Sequence, residues 1–115
     1  MRKRIVLKNI GFLVICFLMV LSLSVKAEDI GEQLFIQNCM VCHADDGGGA
    51  MPGVSDLTES HSWSTLPESQ LLGRLKAGVL KPESSVSMPP KGGNSELTDD
   101  DLIKIIKFMK SEFLK

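Results

Sequence analysis

Apolar and polar positions divide the chain into stretches of different character. Residues 10–25 are apolar except for Gly11, Ser22 and Ser24. Ile30, Leu34 and Phe35 then give one apolar side to a predicted helix. Asp29 begins it, Glu32 completes a capping box, and it runs into Cys39. Leu71, Leu72, Leu75 and Val79 follow at helical spacing in a second helix. It is predicted to start near Thr65, with Glu68 at the capping-box place, Pro67 in the first turn and Gly78 as the stop. The last helix has the clearest pattern. Thr98 caps it, Asp99, Asp100 and Asp101 fill its first turn, and Lys107, Lys110 and Lys115 lie toward its end, so both charge biases favour the helix dipole. Leu102, Ile105, Ile106, Met109 and Phe113 form one stripe. Residues 44–57, with Gly47, Gly48, Gly49, Pro52 and Gly53, read as loop, as do residues 81–96, with Met88, Pro89, Pro90, Gly92 and Gly93. No stretch reads as a strand. The pattern predicts an all-α domain whose long loops need something to pack against.

The first apolar run has its own explanation. Arg2, Lys3, Arg4 and Lys8 precede it, and Val25-Lys26-Ala27 closes it with small residues at the first and third places. That is the order of a secretory signal peptide. The run is shorter than the about 20 apolar residues that span a bilayer. Cleavage is expected after Ala27, which makes residues 1–27 a signal peptide, residues 28–115 the mature domain, and the location periplasmic. An uncleaved membrane anchor is the alternative. After cleavage, no stable membrane insertion is expected. No Cys stands at the cleavage point for lipid attachment, and the adjacent Arg pair of a twin-arginine signal is missing.

Cleavage also changes the charge. The leader takes five basic residues and no acidic ones, leaving 8 basic against 14 acidic residues, a net −6 over 88 residues. Nucleic acid, whose phosphates need Lys and Arg, is not the expected partner. A basic protein partner suits this surface, and so does mere solubility. A domain this short usually needs a disulfide, a metal or another filler to complete its core. Cys16 leaves with the leader, and Cys39 and Cys42 are too close together to staple a fold.

Cys39-Met40-Val41-Cys42-His43 supplies the chemistry. C-x-x-C-H is the attachment pattern of c-type haem. Two thiols on one helical turn reach the two vinyl groups on one haem edge, and the adjacent His supplies a nitrogen to the iron. Zinc also takes Cys and His, but a closed site needs a fourth ligand, and only His61 could provide it without a Met or a carboxylate. A thioredoxin-type pair needs a βαβ setting that the pattern lacks. A structural disulfide leaves His43 unexplained. One covalently bound haem c is the expected cofactor.

The second iron ligand must come from elsewhere. The candidates are Met40, Met51, His61, Met88 and Met109. Met40 lies inside the attachment motif, Met109 belongs to the apolar stripe, and Met51 is close to His43 in sequence. Met88 precedes two prolines, 45 residues after His43. A stiff loop presents a thioether at low entropic cost. Met88 is favoured, with His61 as competitor; His/Met ligation would raise the potential.

These residues resemble those of class I cytochrome c, in the short bacterial branch called the c-five type. Gly31 and Phe35 stand eight and four residues before Cys39 as in that family's first helix, Met88-Pro89-Pro90-Lys91-Gly92-Gly93 is similar to its Met-ligand loop, and residues 101–109 resemble its last helix. The resemblance implies three to five helices wrapped around one haem and an electron carrier rather than an enzyme, serving respiratory redox protein partners through an exposed haem edge. It places Gly31 against Ile105 and Phe108. It gives the Pro52 carbonyl the ring N–H of His43, a bond that would make the ring a better donor. Trp63 would lie against the haem or near a propionate, unless it is simply core. Asn94-Ser95-Glu96 stands where some members carry an extra Cys pair. Lys76, Lys81 and Lys91 are candidates to reverse the local charge at the haem edge. A haem enzyme or gas sensor would need an open iron site, and no distal acid–base pair is visible; His61 is the residue that bears on this.

Overall fold

The computed structural model of the protein describes residues 26–59 and 61–115. The expected signal peptide therefore lies, for residues 1–25, outside the described residues. Among the described residues, five α-helices follow one another: α1 (Ala27–Asn38), α2 (Met40–His43), α3 (His61–Ser64), α4 (Glu68–Ala77) and α5 (Asp99–Phe113), with a 3-10 turn over Pro90–Gly93. Among the described residues there is no strand, only an isolated antiparallel bridge between Val79 and Met88. The fold is all-α.

Helix α5 starts where its sequence says. Thr98 Oγ1 accepts the Asp101 N–H at 3.2 Å, and the Asp101 carboxylate accepts the Thr98 N–H at 3.0 Å. The other two long helices depart from expectation. Helix α1 begins at Ala27 with Lys26 as its uncapped N-cap, so Asp29 lies inside the helix instead of opening it. Helix α4 begins at Glu68, not near Thr65. Pro67 is its N-cap, and a proline biases the residue before it away from helical geometry, so the helix cannot extend back through Leu66. The short turn α3 has no counterpart in the hydrophobic pattern.

The core forms where α1 crosses α5. Phe35, Leu102, Ile105 and Ile106 are each 1% exposed. Close crossing requires Gly31: a Cβ there would stand 2.5 Å from the Lys104 carbonyl oxygen and 3.0 Å from Phe108 Cβ. Phe108 is the expected neighbour, and Lys104 takes the place expected of Ile105. Phe35 packs with ring centroids 5.4 Å from Phe108 and 5.3 Å from Phe113. Tilted aromatic pairs at this range contribute about 0.5–1.5 kcal/mol each beyond their buried area. Helix α4 packs on α5 and on the 3-10 turn. These contacts fix α1, α4 and α5 as a frame, and the loops between them close over an internal space.

Candidate functional site

That space is a cavity of about 230 Å³. Phe35, Leu57, Trp63, Leu71, Leu75 and Ile106 make its apolar walls. Cys39, Cys42 and His43 line it from the α1–α2 junction. One helical turn brings the three together, with the Cys42 and His43 N–H groups both donating to the Cys39 carbonyl, at 3.1 and 2.9 Å. The following loop folds back on the motif: Gly49 N–H donates to His43 O at 3.0 Å and Ala50 N–H to Cys42 O at 2.8 Å.

Met88 lines the same cavity from the far loop. Its backbone exchanges two hydrogen bonds with Val79, at 2.9 and 3.0 Å, where the chain leaves α4. Met109 also lines the cavity, Met40 packs against the core, and Met51 is exposed. The backbone of His61 opens α3, and its side chain lies outside the described residues.

The electrostatics suit a covalent anchor and a neutral imidazole. Cys39 and Cys42 are free thiols. Burial, then the neighbouring Cys42, pushes the Cys39 thiol up to about 11. A redox-active C-x-x-C pair needs the opposite shift. Among the described residues, which leave out the His61 side chain, no three His, Cys, Asp or Glu side chains gather as a metal-holding group. Burial lowers the His43 pKa, while the Ser55 backbone and Lys81 act more weakly in opposite directions. A neutral ring is the form that binds metal.

Nδ1 of His43 is buried and makes no hydrogen bond. The expected bond to the Pro52 carbonyl is therefore not formed. Pro52 is exposed and lies in a groove with Leu80 and Lys81, and it is the backbone of Ser55 that meets the ring. Trp63 is buried in the cavity wall, and its indole N–H donates to Leu57 O at 3.0 Å. It is thus both core and wall, with its donor already used.

Further residues reach the cavity, three of them with longer polar or charged side chains. Asn38 lines it one position before Cys39, and Arg74 and Lys81 are its charged side chains. Arg74 was legible: it sits three residues after Leu71 and one before Leu75, on the inward edge of α4. Asn38 and Lys81 gave no periodic signal. Of the lysines expected near the haem edge, only Lys81 lines the cavity. Lys76 pairs with Asp99 at 2.9 Å, and Lys91 donates to the Ser95 and Leu97 carbonyls at 3.1 and 2.7 Å.

Two thiols, an imidazole with an orphaned nitrogen and a distant thioether around one apolar cavity fit haem c, and together with the all-α frame they define a c-type haem protein. The chain belongs to the cytochrome c family, whose model matches residues 28–112. Its cofactor is covalently bound haem c with its iron, and its chemistry is haem-based electron transfer. No match was found among curated proteins or among solved structures.

Proposed function

We propose that the protein is an exported, soluble monohaem carrier of the c-five type that shuttles single electrons between respiratory redox partners. The supporting observation is the shared cavity, which gathers Cys39, Cys42 and His43 with Met88 from 45 residues away. In this reading Cys39 and Cys42 would hold the haem by thioether bonds, and His43 and Met88 would supply the nitrogen and the thioether to its iron. The haem supplies an iron that takes up and gives back one electron. His43 offers a neutral imidazole, and Met88 a soft thioether that favours the reduced state and raises the potential. Phe35, Leu57, Trp63 and Ile106 exclude water around the site, which further tunes it. With His43 and Met88 both given to the iron, the haem would supply electron exchange and offer no site for a substrate. Catalysis is not part of this proposal.

Export rests on the basic, apolar and small-residue order of residues 1–27. Among the described residues, no helix is long and apolar enough to cross a membrane. The deciding experiment is the absorption spectrum of purified protein, oxidised, reduced, and reduced under carbon monoxide. A reduced c-type spectrum unmoved by carbon monoxide is expected. A ready shift would mean an open iron and a gas-binding or catalytic role. Acid–acetone should leave the haem on the chain, and the periplasmic protein should begin at Glu28.

A further inference from the structure

Asn38 is the last residue of α1 and lies next to Cys39. Its Nδ2 donates to Leu34 O at 2.8 Å, and its Oδ1 accepts from Asn94 Nδ2 at 2.8 Å. Asn94 Oδ1 in turn accepts the Glu96 N–H at 3.1 Å. A carbonyl only accepts and a backbone N–H only donates, so the two outer partners fix the orientation of both amides. The Asn94 N–H closes the 3-10 turn by donating to Lys91 O at 3.2 Å. Within that turn, Gly92 lies so near α1 that a Cβ on it would stand 2.9 Å from the Asn38 carbonyl oxygen. Only five residues separate Asn94 from Met88, and two of them are prolines.

We infer that the Asn38–Asn94 pair is a latch that holds the Met88 loop against the helix carrying Cys39 and so sets how firmly Met88 stays on the iron. The inference rests on Met88 being an axial ligand. Both asparagines are positioning residues. The loop is held at its Met88 end by Val79 and at its other end by Asn38, with a stiff Pro-Pro segment between. Releasing the second point lets that segment swing, which raises the fraction of molecules with Met88 off the iron. An added ligand binds that fraction, and its apparent dissociation constant falls as the fraction grows.

The test is a titration of the oxidised holoprotein with imidazole, read by absorbance. Asn94→Asp removes the donor facing Asn38, and Asn94→Ser removes it without adding charge. Each should tighten imidazole binding about fivefold, the loss of one ordinary hydrogen bond. Thr98→Ala removes the cap of α5 and touches neither asparagine; it should lower the melting temperature yet stay within about twofold of the parent in imidazole binding. A loss of stability without tighter imidazole binding in Thr98→Ala is what separates the latch from a general structural defect. Parent-like binding in both Asn94 variants, or a Thr98→Ala shift equal to that of Asn94→Ser, overturns the latch. If Asn94→Asp yields no holoprotein, Asn94→Ser decides alone. Met88→Ala separates the two levels. If it keeps the methionine–iron charge-transfer band, the ligand assignment falls and the latch with it. If it loses the band while the Asn94 variants stay parent-like, only the latch falls.

Discussion

Gly78 packs against the Met88 carbonyl so closely that a Cβ on it would stand 2.6 Å from that oxygen and 2.9 Å from the Pro90 nitrogen. Its φ of +77° is also one that a side chain resists. The stop of α4 and the seat of the Met loop are therefore one residue. Gly78→Ala should cost about 1–2 kcal/mol from the backbone alone, and it must also push the loop away. We expect a lower denaturant midpoint together with a weakened methionine–iron charge-transfer band. Lost stability with an intact band would uncouple the helix stop from the ligand loop.

Haem should be required for folding. The apolar walls of the cavity face one another across about 230 Å³, and without a group between them they lose their packing partners. Protein carrying Cys39→Ala and Cys42→Ala should show largely disordered far-ultraviolet circular dichroism. A cooperative unfolding transition in that haem-free chain would show that α1, α4 and α5 suffice.

The Thr98–Asp101 capping box predicts a pH dependence. Hydrogen bonds from the Thr98 side chain and backbone hold the Asp101 carboxyl below its usual range. A folded-state pKa below the unfolded one contributes stability above the ordinary carboxylate range, which is lost as pH falls through the lowered pKa. Thr98→Ala should cost about 1 kcal/mol near neutral pH. The gap in melting temperature from the parent should narrow in acid, once Asp101 is protonated in both proteins. A gap independent of pH would remove the box from the stability of α5.

Electron exchange should respond to salt. Without the expected leader the domain would carry −6, whereas Arg74 and Lys81 are charged side chains that line the cavity. At long range the net charge governs the encounter, and the haem propionates oppose the two cations locally. Small cationic redox reagents should therefore react faster than anionic ones, and their advantage should fade as the Debye length drops from about 30 Å at 0.01 M to about 10 Å at 0.1 M. A faster anionic reagent would show that Arg74 and Lys81 set the local sign.

Local chemistry is legible in the sequence by itself. The spacing of Cys39, Cys42 and His43 lies within one helical turn, and the stripe and capping residue of α5 lie within one helix, so short-range geometry determined them. The expected cleavage after Ala27, and the net charge that would follow from it, rest on the order of residues in the leader. The starts of α1 and α4 were not settled at that level. Asp29 and Thr65 could both cap a helix, but the observed starts are Ala27 and Glu68. Tertiary folding decided what depends on distant segments meeting. It placed Met88 and Met109 in one cavity, set Gly31 against Lys104 and Phe108, left His43 Nδ1 without a hydrogen bond, and joined Asn38 to Asn94 across 56 residues. Hydrophobic periodicity reports which face of an element is buried, not which distant residue it meets. That choice belongs to the crossing of α1 with α5 and to the cavity the loops close around.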